Sequence, residues 1–182
     1  MNFISYSNKF KNILKSIVKI EFLIFLIILI TSIYSYIIIF TDIAYSDYAY
    51  NELFINYQVG LIRRGLLGEI YWQLDKYFML KPKIFFGLIF YFLYLLQIYF
   101  FYILNKIFKD LRFLVIFILF SPSLILFNIY DINIFFIKDI FLKISILLHA
   151  CLILKLREKD YINSLKYFLI PLIAIIILIH EY

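Results

Sequence analysis

An all-α integral membrane fold is what this sequence predicts, and three observations carry that prediction. Hydrophobic residues make up 65% of the 182 positions and charged residues only 16%, against roughly 45–50% and about 25% in a soluble domain. Apolar runs long enough to cross a bilayer recur along the chain. The lysines gather in short segments beside those runs, where positive charge sets membrane orientation. Together these exclude a soluble globular enzyme, a disordered tail and a disulfide scaffold. Cys151 is the only cysteine, so neither an internal disulfide nor a cysteine metal cluster can form.

The first element follows Lys9, Lys11, Lys15 and Lys19. The apolar run 22–40 is about 28 Å long as a helix, enough to span the hydrocarbon core. It exceeds the ~7–15 residues of a signal-peptide core, and no small-x-small cleavage site follows. It reads as an uncleaved span with the N-terminus cytoplasmic. Residues 41–83 form the first outer loop. Within it Ile62, Leu66, Ile70, Leu74 and Phe78 recur every four residues, while Arg64, Gln73, Asp75 and Lys76 fall elsewhere on the wheel. That pattern predicts an amphipathic helix lying on the membrane surface, with Tyr71 and Trp72 at the interface. Lys81-Pro82-Lys83 ends it.

A second span is predicted at 84–104, then a basic loop at 105–112, then a third span at 113–130. Pro122 sits in the middle of the third and predicts a kink there. A short outer segment at 131–139 leads to a fourth span at 140–154. Asp139 and Lys143 are four apart and are expected to pair on one helix face. His149, inside that span, is expected to hydrogen-bond to a neighbouring helix. A charged loop covers 155–166, and a fifth apolar run covers 167–182. The chain is thus one polytopic domain of about five spans. Segments 1–20, 105–112 and 155–166 hold 11 of the 18 Lys and Arg residues, which places them inside. The last run is short for a span, and suits the N-terminal part of a longer protein as well as a complete one.

Composition also tells which residues stand out. Ile occurs 39 times against 3 Val, and Lys 14 times against 4 Arg, a skew toward A- and T-rich codons. Single Tyr or Phe residues therefore carry little weight, whereas a cluster of Gly and Arg carries more. Tyr57-Gln58-Val59-Gly60-Leu61-Ile62-Arg63-Arg64-Gly65-Leu66-Leu67-Gly68-Glu69 is such a cluster. A Gly-containing turn before a helix can offer backbone N–H groups to an anion. Arginine adds planar bidentate donors that match phosphate. Arg63, Arg64 and Gly65 are therefore candidates to hold a lipid phosphate at the membrane surface. The plainer alternative is a helix start whose arginines meet ordinary phospholipids.

Upstream, Asp42 and Asp47 are candidate general bases toward an acceptor hydroxyl, or else ordinary charges of a solvated loop. Glu52, Glu69, Asp131, Lys138, Asp139, His180 and Glu181 fall on the same outer side and are candidates to line a cavity there. Lys138 and Asp139 could equally be a local ion pair that eases insertion. His180-Glu181 is not a zinc motif, and no metal or cofactor is expected. The net charge of +6 belongs to orientation rather than to nucleic acid.

Three stretches carry a resemblance. Tyr57 to Glu69 resembles the Y-x-x-G-x-x-R-R-G-L-x-G-E outer-loop segment of a group of poorly characterised bacterial polytopic membrane proteins. Ser121-Pro122 through Phe127, then Asp131 and Lys138-Asp139, resembles a second stretch of that group. His180-Glu181 resembles a His-Glu pair that follows later. The group is similar in layout to the membrane glycosyltransferases of the C superfamily, which place acidic residues in the first outer loop and use lipid-phosphate sugar donors. The resemblance implies a multi-pass protein of the bacterial plasma membrane, working in cell-envelope polysaccharide or glycolipid assembly. Its partners would be the bilayer, a polyprenyl-phosphate-linked sugar and other envelope-assembly proteins. This chain departs from the superfamily by lacking a paired Asp-Glu or Asp-Asp at Asp42 or Asp47. Two other classes compete: a carrier or flippase-like protein with no bond chemistry, and an inactive partner subunit or fragment.

Overall fold

A computed structural model of the chain describes residues 20–41, 50–55, 65–108 and 135–179. Of these, 89% are helical and none lies in a strand. In chain order they form α1 (Ile20–Phe40), a 3₁₀ turn (Glu52–Phe54), α2 (Leu66–Phe78), α3 (Pro82–Ile107), α4 (Asp139–Lys155), α5 (Glu158–Ser164), a π-helical turn (Leu165–Leu169) and α6 (Ile170–Ile179). Among the described residues, three stretches are long and apolar enough to cross a membrane: Phe22–Phe40, Pro82–Ile107 and Glu158–Ile179. The predicted third span and its Pro122 kink lie outside the described residues.

α1 is strongly apolar, and its own backbone takes up the hydroxyls of Thr31 and Ser32, whereas the buried Ser35 hydroxyl has no hydrogen-bond partner among the described residues. Thr31 Oγ1 donates to the Ile27 carbonyl at 2.7 Å and Ser32 Oγ to that of Ile28 at 2.8 Å. Such i−4 bonds let Ser and Thr sit in a span without an exposed polar group. Ile27, Thr31, Ser35, Ile38 and Ile39 form its buried stripe. This stripe packs on α3, where a Cβ added to Gly87 would overlap the side chain of Ile39. Helices this apolar can be joined by close packing and by hydrogen bonds between their side chains. The Gly87 approach and the 2.9 Å Ser32–Tyr91 hydroxyl bond are those two devices.

α3 opens with Pro82, whose missing N–H is no loss at a helix start. Phe86, Phe90, Tyr94, Gln97, Phe101 and Asn105 recur at helical spacing along its buried face. α1 and α3 are antiparallel: Ile39 meets Gly87 near one end, and Ser32 meets Tyr91 further along. α4 runs parallel to α3, with Phe141 beside Phe90 and the Cys151 thiol 3.8 Å from the Phe100 carbonyl. α6 returns, and its last residue, Ile179, joins the core that also holds Leu67 of α2. The C-terminal end of α1, the 3₁₀ turn, α2 and the start of α4 thus gather at one end of the bundle, here called the loop end. α4 has 17 residues, about 26 Å of helix against a core of about 30 Å.

The charged stretch 155–166 is mostly helix rather than loop. Only Leu156 and Arg157, both extended, separate α4 from α5. Lys155 lies in the last turn of α4, and Glu158 and Asp160 in the first turn of α5. Each charge suits the helix dipole it sits on, so the polar run marks two helix ends. The helix continues from Glu158 to Ile179 through the π turn. Pro171 explains that turn, because its ring clashes with the carbonyl four residues back and a wider turn relieves the clash. At this hairpin the Tyr161 hydroxyl and His149 Nε2 are 3.3 Å apart, the neighbouring-helix bond expected of His149.

Candidate functional site

The loop end is organised by a short wedge. The 3₁₀ turn Glu52–Phe54 buries Leu53 completely. Tyr50 and Phe54 flank it, and both contact Phe86 edge-on. Tyr50 also lies against Phe136, and Phe54 against Tyr71. Phe135 and Phe136, in the turn before α4, close the cluster onto Phe90 and Tyr94. Tyr94, fully buried, donates to the Phe135 carbonyl at 2.7 Å. Edge and offset ring contacts of this kind add ~0.5–1.5 kcal/mol each beyond their buried area.

Lys138 reaches into this wedge. It is only 5% exposed, and its Nζ donates to the backbone carbonyl of Glu52 at 3.0 Å. A buried ammonium must be matched by oxygen atoms, and the wedge supplies one. The bond joins residues 86 positions apart and ties the first loop to the start of α4. Asp139 opens α4, one turn from Lys143, close enough for the two charges to interact.

α2 begins on the other flank of the wedge. Gly65 is its N-cap, buried, with φ −80° and ψ −10°, a conformation open to any residue. Gly68 is constrained by contact instead. A Cβ there would overlap the Ile55 carbonyl oxygen and come within 2.9 Å of that of Leu53, so only glycine allows the helix to lie on the wedge backbone. Glu69, in the first turn, accepts a 2.7 Å bond from Gln73 Nε2 and already supplies the negative charge that the helix N-terminus favours.

The buried face of α2 is Leu67, Gly68 and Tyr71, turned toward the bundle. Ile70 and Phe78 of the four-residue stripe are exposed, and Leu66 and Leu74 are half-buried. α2 therefore has two apolar faces, one packed on protein and one open. Tyr71 donates to the Leu80 carbonyl at 3.0 Å. Burial, and then the neighbouring Asp75 carboxylate, raise its phenol above the ordinary value of 10.0. Met79 caps α2 in the left-handed region at φ 48°, its N–H bonding the Asp75 carbonyl. Lys83, at the start of α3, donates to the Thr41 carbonyl at the end of α1.

Glu52, Gly65, Glu69, Lys138 and Asp139 thus share the loop end. Asp42, Asp47, Arg63, Arg64, Asp131, His180 and Glu181 lie outside the described residues. Three cavities between the helices are lined by described residues, and Glu52, Glu69, Lys138 and Asp139 line none of the three. Among the described residues, no three His, Cys, Asp or Glu side chains group as metal ligands. The Lys138–Glu52 bond and the Gly68 contact went unread in the sequence, because both depend on a partner distant in the chain. The nearest available signal for Lys138 was its place, beside Asp139, in an otherwise apolar stretch. Comparison with protein families, with curated proteins and with solved structures finds no match to this chain.

Proposed function

We propose that the chain is a multi-pass protein of the bacterial plasma membrane that handles lipid-phosphate-linked sugars during envelope glycan assembly. On this reading it crosses the membrane five times with a cytoplasmic N-terminus, and the loop end faces outward. The observation that supports it best is the meeting of Glu52, Lys138, Asp139 and the first turn of α2 around one wedge. Charged groups at the end of an apolar bundle are the natural place to receive a substrate whose tail stays in lipid and whose head is polar.

Within that site Arg63 and Arg64, immediately before α2, hold the phosphate as bidentate donors. Asp47 or Asp42 removes the proton of the acceptor hydroxyl. Lys138 positions the wedge through the Glu52 carbonyl. With two arginines neutralising the leaving phosphate, transfer needs no metal in this scheme.

The test is surface glycan in cells carrying Arg63→Ala or Arg64→Ala. Both variants are expected to reach the membrane at normal level and to lose the glycan. Normal glycan in both would overturn the proposal. Purified protein that turns over a lipid-linked sugar in detergent separates a transferase from a carrier.

A further inference from the structure

The seam between α1 and α3 is not uniform. Toward the loop end Ile39 meets Gly87 and Lys83 bonds the Thr41 carbonyl, beside a smaller cavity of about 220 Å³ lined by Ser35, Ile39, Leu88 and Tyr91. The Ser32–Tyr91 hydroxyl pair bridges it further along. Beyond that bridge the helices leave a groove of about 530 Å³ between Ile24, Phe25 and Ile28 on one side and Leu95, Tyr99 and Tyr102 on the other. Its walls are almost wholly apolar. Phe25 and Tyr99 are more than half exposed, at 60% and 55%, so the groove opens sideways.

Its length has a meaning in lipid. On α3 its walls run from Leu95 to Tyr102, about 10 Å of helix, which fits inside one leaflet of hydrocarbon, about half of ~30 Å. The mouth is marked chemically as well. Lys106 Nζ lies 4.5 Å from the centre of the Tyr102 ring. Tyrosine prefers the level where headgroups begin, and lysine extends its ammonium to that level. The groove therefore runs from a cation at headgroup depth to a polar stop at mid-bilayer.

We infer that this groove binds one acyl chain of an anionic glycerophospholipid, its phosphate beside Lys106 and its chain ending at the Ser32–Tyr91 bond. The inference rests on α1 and α3 crossing the membrane. It is independent of the glycan reading, because it concerns the opposite end of the bundle.

The test is photolabelling of the full chain in phosphatidylcholine nanodiscs. These carry a small fraction of phosphatidylglycerol with a diazirine midway along one acyl chain, and labelled peptides are mapped by mass spectrometry. Labels are expected to concentrate on Ile24–Ile28 and Leu95–Tyr102. The exposed face of α6 at Ile173 and Ile177 serves as the control for ordinary boundary lipid. Lys106→Ala should lower groove labelling about fivefold, the equivalent of about 1 kcal/mol for one basic residue at an anionic surface. A diazirine phosphatidylcholine should be unaffected by that change. Leu95→Trp should fill the groove and remove both labels. Lys106 is exposed, so its variant keeps the test valid if Leu95→Trp does not fold. Equal labelling of the groove and the α6 face overturns the inference. So does loss of groove label in favour of chain-to-chain products, or a phosphatidylglycerol label indifferent to Lys106→Ala.

Discussion

The loop end and the far half of the α1–α3 seam use the same apolar residue types and pack them in opposite ways. At the loop end, Leu53, Phe86, Phe90, Tyr94, Phe135 and Phe136 are each 1% exposed or less. Backbone carbonyls there are taken by Lys138 and Tyr94. In the far half of the seam Phe25, Tyr99 and their neighbours border a groove. The difference teaches where an apolar helical chain must satisfy its own polar backbone. Where the chain leaves its helices, free carbonyls and N–H groups have to find partners inside the protein. Along uninterrupted helix the backbone is already satisfied, and the side chains can leave a groove.

The largest break in that contrast should come from Gly68→Ala. The added methyl meets the Ile55 and Leu53 carbonyls, which are backbone and cannot swing away. A cost of about 3 kcal/mol or more is expected, at the upper end for overpacking. Trp72 is the only tryptophan and sits on α2. Its fluorescence should therefore report an early loss of the loop end on heating in detergent, while far-ultraviolet circular dichroism still reports intact long helices. A variant whose two transitions coincide with those of the wild type would show that the wedge contact is dispensable.

Lys138→Ala should follow, at about 2–3 kcal/mol, because it strands the Glu52 carbonyl and leaves a void. Lys138→Met fills the void but not the hydrogen bond, and should recover part of the loss. If Ala and Met behave alike, packing contributes little there. Gln97 sharpens the comparison in the other direction. It is fully buried within α3, and both polar atoms of its amide lack hydrogen-bond partners among the described residues. Gln97→Leu should stabilise the bundle by about 1–3 kcal/mol, the desolvation penalty of unpaired polar atoms. A lower midpoint for that variant would contradict the packing described for this part of α3.

Much of this architecture was legible in advance. Hydropathy places α1 and α3 to within three residues, since a span must be apolar over a fixed length. The helix α2 was also readable, from the repeat Leu66, Ile70, Leu74 and Phe78. Its second buried face was not, because Gly68 looks like a flexible turn residue until Ile55 is beside it. The same holds for Lys155 to Asp160, where a hydropathy window registers charge but not that Lys155, Glu158 and Asp160 lie at the ends of two helices. The candidate phosphate site was legible only as a cluster of residue types, and its glycines divide by role: Gly65 caps α2, and Gly68 makes room for backbone.

The smallest effect tests the hinge between α2 and α3. Tyr71 holds the corner by donating to Leu80, which only the neutral phenol can do. Burial and Asp75 raise its pKa above 10.0, so the folded state keeps the proton at a pH where the unfolded chain has begun to lose it. The stabilisation is therefore complete below about pH 10 and declines as pH rises through the folded value. Tyr71→Phe should cost about 1 kcal/mol at neutral pH, one ordinary hydrogen bond. The gap between wild type and variant should stay constant to pH 10 and narrow above it. Asp75→Asn removes the carboxylate that repels the phenolate, so in that background the narrowing should still begin near pH 10 but level off at lower pH and after a smaller loss. The Trp72 emission midpoint, followed in detergent from pH 8 to 11, measures both. A gap independent of pH would show that the Leu80 bond contributes nothing and that the corner is held by the Met79 cap alone.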